Sequence, residues 1–236
     1  YLLGRIRELL EREVRMNDDN LRKTRKTRVI RNPSRGIYDR ETAYEIIDST
    51  PMCHVSYTID SQPYITPTFQ WRKENWIYWH GSSASRFLKS AESTPVAINI
   101  FQFDGLVLAR SGLHHSANYR SVTLFGIAEL ISDSRKEEAL KDFVDNLIPG
   151  RWETLRPVKP QEIRATMILG MPIDEGSVKV RSGAPVDDAE DYDLPIWAGV
   201  IPFRTSIGEA VPDSVLPSHI DVPDHIKGFR LGRKID

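Results

Sequence analysis

The chain has 236 residues, 40% of them hydrophobic, with 32 Lys+Arg against 33 Asp+Glu. That suits one sizeable core with appendages, and the apolar runs fall short of the roughly 20 residues of a membrane-spanning helix. The single cysteine, Cys53, excludes an intramolecular disulfide framework and a multi-cysteine metal site; with no signal-peptide pattern in view, a reducing, cytoplasmic location is expected.

"YLLGRIRELLEREVR" spaces Leu2, Leu3, Ile6, Leu9, Leu10 and Val14 near helical periodicity, predicting an amphipathic helix. The basic stretch "LRKTRKTRVIRNPSR" lacks interleaved aromatics and any recognition motif, so a solvated or partner-docked arm is expected rather than a nucleic-acid contact. These segments make an N-terminal region, 1–35, before a domain over 36–204 and an irregular tail over 205–236. In "YDRETAYEIIDS", Asp39 is placed to cap a short helix with Ala43, Ile46 and Ile47 facing inward.

From Cys53 the pattern changes to strands. "CHVSYTI" and "PYITPTFQW" flank the turn "DSQ" as a hairpin, and "NWIYWH" follows the polar turn "RKE". "PVAINIFQF" and "LVLAR" flank Asp104-Gly105, a strong signal for a second hairpin turn. "RSVTLFGIAELIS" is a long strand that alternates Val122, Leu124, Ala128 and Leu130 against Thr123, Phe125, Ile127 and Glu129; Gly126 within it marks a bulge or a close backbone approach. A helix over "SRKEEALKDFVDNLIPG" is expected to start from a Ser134/Glu137 capping box, bury Ala139, Leu140, Phe143, Val144 and Leu147, and stop at Pro149-Gly150. "ATMILGMPI" and "SVKVRS" add two strands. Six to eight strands with few helices between them predict a mainly β fold, and a small closed barrel with peripheral helices is its simplest form.

Several stretches carry chemistry. In "WHGSSASRFLK" (79–89) Gly81 permits a tight turn, Ser82, Ser83 or Ser85 can cap a helix starting near Arg86, and Arg86 and Lys89 share one helical face. Residues of this kind make either an ordinary helix cap or a phosphate cradle. "HHSANYRSV" supplies Asn118, Tyr119, Arg120 and Ser121 at the start of the long strand. His114 and His115, adjacent in extended backbone, point to opposite sides, so no metal site is expected of them. Lys179 and Arg181 share a strand face and suit either solvent or an acidic ligand. Neither G-x-S-x-G nor G-x-G-x-x-G occurs.

At these residues the chain resembles a known family. "TRVIRNPSRGIYDRETAYEIID", "CHVSY", "QPYITPT", "YWHGSSASRFL", "DGLVLARSGLHHSANYRSVTLFG", "PGRWETLRP" and "SVKVRSGAPVDDAEDYDLPIWAGVIP" together are similar to the flavin-nucleotide-binding branch of the pyridoxamine 5′-phosphate oxidase-like superfamily, to which the nitroimidazole-resistance proteins are related. The resemblance implies a split β-barrel homodimer with FMN at the subunit interface. It implies one phosphate-contacting segment at His80, Gly81, Ser82, Ser85, Arg86 and Lys89, and a second contact segment at Tyr119, Arg120, Ser121 and Val122. Thr66, Pro67 and Thr68 would run beside the isoalloxazine ring, and Lys179 and Arg181 would reach in from the partner subunit. His80 stands where the nitroimidazole-resistance branch carries its characteristic histidine, a candidate for proton transfer. The Arg-Leu-His-type substrate segment of authentic pyridoxamine 5′-phosphate oxidases has no equivalent here. The implied activity is therefore an FMN-dependent oxidoreductase of an unidentified small molecule, served by a nicotinamide electron donor. The alternatives are a flavin carrier or sensor and a nitroimidazole-reductase-like resistance protein.

Overall fold

The computed structural model describes residues 19–230; the helix expected over the first fifteen residues lies outside them. The basic arm, where described, docks on its own chain. Leu21 is buried in the core, and Arg22 and Lys26 converge on Glu175 at 3.3 and 3.1 Å. Strand β1 (Gly36–Ile37) leads to helix α1 (Arg40–Asp48), which Asp39 caps as expected by accepting the Thr42 N–H at 2.7 Å.

Strands β2 (Met52–Ile59) and β3 (Gln62–Lys73) form the first hairpin. Asp60 and Ser61 both take positive φ, 48° and 63°, the backbone a two-residue primed turn demands. Strand β4 (Trp76–Ser82) passes through the serine-rich turn into α2 (Arg86–Ala91). Next come β5 (Pro95–Leu108), β6 (Ser116–Ile127), β7 (Glu129–Leu130) and helix α3 (Asp133–Leu147). Helix α4 (Pro160–Ala165) precedes β8 (Thr166–Pro172) and β9 (Glu175–Arg181). A strand β10 (Gly199–Pro202) lies near the end of the domain expected over 36–204, and a one-turn helix α5 (Asp224–Lys227) lies within the tail expected to be irregular.

All strand pairs are antiparallel, in the order β1-β9-β6-β5-β2-β3-β4-β8-β7, with β10 on β5. The ladder is open where a closed barrel was expected. Long β3 pairs with β2 through its first part and with β4 through its last four residues, so it belongs to both halves of the barrel. On the other side the halves are joined by chain rather than by pairing: β6 sits between β5 and β9, while β7, two residues on, pairs with β8. At the hand-over Ala128 bonds to the loop after α2, its N–H donating to Thr94 O and its carbonyl accepting from Ser93 N–H. The side-chain phase slips there. Val122, Leu124 and Ala128 are buried as expected, but Leu130 faces out and Ile131 faces in. This is a split barrel.

Two further expectations are corrected. Asp104-Gly105 is not a turn: neither residue takes positive φ, and β5 runs straight through, with Asp104 bulged against β6 between Phe103 and Gly105. A Cβ at Gly105 would lie 2.7 Å from the Ile201 carbonyl oxygen, so glycine lets β10 approach. Helix α3 starts two residues too early for the expected capping box. Ser132 is its N-cap, Ser134 falls inside the first turn, and their hydroxyls meet each other at 3.1 Å.

The main core fills the barrel with Ile47, Cys53, Val55, Ile77, Trp79, Leu88 and Leu124 among others. Cys53 is a core residue, its thiol pushed up to about 12 by burial. A smaller core of Trp71, Tyr78, Ile131 and Ile168 lies between the sheet and α3, closed by Phe143.

Candidate functional site: one sheet face and two ends of the barrel

Register decides which side chains can meet. Residues opposite one another in a ladder share a face, so the pairs Tyr119–Arg181 and Ser121–Lys179 put four predicted residues on one side of the sheet. Phe101 and Phe103 extend that side across β5, and Met52, paired with Phe69, carries it onto β3, where Ile65 and Pro67 alternate with Phe69. Large apolar side chains stand exposed on this outward face, beside the exposed His54 and Lys179: Met52, Ile65, Phe69, Phe101 and Ile127 are each between 39% and 68% accessible. Thr66 and Thr68 point the other way, in register with core residues Val55 and Cys53. So does Val122, which is fully buried in a strand paired on both sides.

The serine-rich turn lies at one end of the barrel. Ser85 is the helix cap, accepting the Leu88 N–H, and Ser82 accepts the Ala84 N–H at 3.2 Å. Each hydroxyl keeps its proton to donate. Gly81 is a strand residue, not a turn: a Cβ there would sit 3.1 Å from Leu88 Cδ1, so its smallness seats α2 against β4. Arg86 and Lys89 form no ion pair among the described residues; the Arg86 guanidinium rests over the Tyr64 ring at 5.5 Å. Tyr64 in turn stacks on Tyr57, which touches Phe87 and shares a 3.2 Å hydrogen bond with Thr66. The tyrosines escaped sequence analysis, although their two-residue offset from the hairpin turn makes them cross-strand partners.

Arg120 lies at the other end. One row of partners runs Ile65–Ser56–Ala97–Phe125, level with the Tyr64 end of β3. Arg120 is five residues farther along β6, about 17 Å at the usual strand rise. The two guanidiniums therefore do not meet on one phosphate within a single chain. Arg120 is already engaged: its Nε and Nη2 fork onto the bulged Asp104 carboxylate at 3.0 and 2.8 Å, a contact that holds its proton more firmly than usual. Arg181, on the opposite face, donates to Asn118 and to the Gly183 and Ala184 carbonyls; burial, with Arg35 nearby, pulls its pKa down.

His80 stands on the α3 side of β4, its ring 4.4 Å from Phe143 and 5.8 Å from Trp71. Its buried Nδ1 has no hydrogen-bond partner among the described residues, and burial lowers its pKa, which favours the neutral ring. A cavity of about 860 Å³ between Ile148 and the C-terminal tail contains none of the predicted residues.

An open antiparallel barrel with hydroxyls, cations and exposed aromatics on its sheet defines the split-barrel class. The pyridoxamine 5′-phosphate oxidase family model matches residues 39–180, and the chain belongs to that family. No curated protein matches it. Among solved structures it is similar to the flavocytochrome Anf3 from Azotobacter vinelandii, at 45% identity and a TM-score of 0.85 over 88% of this chain and 98% of that one. It is also similar to the FAD and haem binding protein from Mycobacterium smegmatis, at 32% identity and a TM-score of 0.80 over 82% of this chain and 96% of that one. A candidate 5-nitroimidazole antibiotic resistance protein from Bacteroides thetaiotaomicron shares the fold, at 19% identity and a TM-score of 0.51 over 61% of this chain and 86% of that one.

Proposed function

We propose that this protein holds a flavin nucleotide between two copies of the chain and acts as a redox protein of the flavocytochrome type, with haem as a second group. One observation carries this reading. Pro67, Tyr119, Ser121, Lys179 and Arg181 share their sheet face with five large, exposed apolar side chains. A second copy laid on that face buries the apolar surface and encloses the polar residues in one step. It also lets Arg86 and Lys89 of one chain share a site with Lys179 and Arg181 of the other. The names of the two relatives favour a flavin, and haem beside it; FAD, named for the mycobacterial protein, is adopted here in preference to the FMN expected from sequence.

The donor set fits a flavin phosphate. Arg86 and Lys89 are free cations among the described residues, and the Ser82 and Ser85 hydroxyl protons lie beside them. Lys179 and Arg181 supply charge from the second chain. A bound flavin supplies electron and hydride transfer at its ring. The protein's own part is to neutralise the phosphates, exclude water with Phe69 and Phe101, and keep His80 neutral, so that His80 is not a resident acid. A nicotinamide donor is the proposed electron source.

The test is the visible spectrum of the purified protein, chromatographic identification of the flavin it releases, and light scattering. Flavin bands, FAD on release, bleaching by a nicotinamide donor and a dimer are expected. A colourless monomer that takes up neither FAD nor FMN would sink the reading.

A further inference from the structure

The loop between β5 and β6 holds a histidine prepared for a metal. His115 places Nδ1 2.9 Å from the Ser111 backbone carbonyl. A carbonyl only accepts, so Nδ1 carries the proton and Nε2 is left with its lone pair. A backbone acceptor on one ring nitrogen, with the other free, is the arrangement that orients metal-ligating histidines. None of the other described histidines has it: His80 buries an Nδ1 and His225 an Nε2 without a hydrogen-bond partner among the described residues, and the buried Nδ1 of His114 faces the Asp187 carboxylate at 3.8 Å. The side chains of His54 and His219 make no hydrogen bond among the described residues.

The surroundings are apolar and uncovered. Strand β6 begins one residue after His115, and its alternation puts His115 on the side of Ala117. Ala117 pairs with Leu106, and Leu106 with Ile201 on β10, so these side chains share a face. Leu106 and Ile201 are 40% and 45% exposed, Trp197 beside Gly199 is 68% exposed, and Leu113 in the loop is 97% exposed. A free imidazole nitrogen at the start of a strand that carries an uncovered aliphatic and indole face offers the two requirements of a haem: one axial donor and an apolar flank for the macrocycle. Tyr119, in the proposed flavin region, lies four residues along the same strand on the same face, about 13 Å away.

We infer that His115, through Nε2, is the protein's axial ligand to haem, and that Leu106, Leu113 and Ile201 form its apolar flank. This rests on the proposal that the protein binds haem beside its flavin. The loop serves as the positioning device: Ser111 sets the tautomer, and the Arg110–Asp187 pair, with Asp187 accepting from the Arg110 N–H at 2.9 Å and Nη1 at 3.0 Å, ties the loop to the segment after β9.

The test titrates ferric haem into the flavin-loaded, full-length protein and reads the Soret band and the haem content per chain. Variants are His115→Ala, His115→Gly and, as control, His114→Ala. Wild type and His114→Ala should bind one haem per chain. His115→Ala should weaken binding by more than the roughly tenfold to hundredfold that losing a mere supporting contact to a metal ligand costs, with its flavin bands retained. His115→Gly should recover the wild-type Soret band when imidazole is added. A His115→Ala protein with wild-type haem affinity and band position would overturn the assignment while leaving the haem proposal standing. A wild-type protein that takes up flavin but no haem would overturn both.

Discussion

The pairing of Arg120 with Asp104 makes the flavin proposal sharply testable. The pair is well formed, with two contacts of 3.0 and 2.8 Å, but its side chains are 43% and 33% exposed. Its worth to stability is thus at most about 1 kcal/mol. If Arg120 also binds a flavin phosphate from the partner's site, Arg120→Ala removes a charge-assisted bond worth about 1.5–3 kcal/mol, which weakens flavin roughly tenfold to a hundredfold. Asp104→Asn acts in the opposite sense. It removes the carboxylate that competes for the guanidinium, costs little stability, and should tighten flavin binding or leave it unchanged. Flavin fluorescence quenching gives both affinities, and thermal melting shows that both variants fold. If folded Arg120→Ala binds flavin like wild type, Arg120 is only the structural partner of the bulge, and its place in the phosphate site is refuted.

Two further outcomes are expected. Gly170→Ala would place a Cβ 2.6 and 2.8 Å from Tyr78 ring atoms, and that ring is stacked between Trp71 and Trp76, so it cannot yield. A loss of about 1–3 kcal/mol is expected from overpacking, read from the urea midpoint; an unchanged midpoint would show that the aromatic stack gives way freely. His80 has its pKa lowered by burial from the ordinary 6.5. As pH falls below that value the unfolded chain takes the proton first, so this stability is present above pH 6.5 and lost toward the lower folded pKa. His80→Phe, which suits the Trp71–Phe143 surroundings, should therefore flatten the fall in melting temperature between pH 7.5 and about 5.5. An identical slope in both proteins would remove His80 from the acid response.

Much of the fold was legible because its signals are local. The Asp39 cap, the hairpin turn at "DSQ" and the alternation of Val122 and Leu124 each depend on a few adjacent residues, and each is found in the structure, the turn narrowed to Asp60-Ser61. The open ladder was legible only through the family resemblance, which implied a split barrel, and not in the strand pattern, since closure depends on where β7 pairs, and two residues carry no periodicity of their own. Strand β10 was hidden for the same reason. The site was legible as residue types but not as a constellation. Serines and cations announced themselves, yet only register shows that Arg120 faces away from Arg181 and lies at the far end of the barrel from Arg86.

The bulge at Asp104 shows how much one residue decides. In an unbroken ladder the outward series Phe101, Phe103 would continue at Gly105 and Val107, and Leu106 would point into the barrel. The extra residue reverses the phase: Gly105 pairs with the buried Asn118 and Leu106 with Ala117. Leu106 thereby turns outward beside His115, and Gly105 turns inward where β10 passes within a Cβ's reach. The displaced Asp104 takes up Arg120. An Asp-Gly pair that sequence rules assign to a hairpin thus sets the apolar flank of the proposed haem, the seat of β10 and the partner of Arg120. A turn at this position would have separated all three.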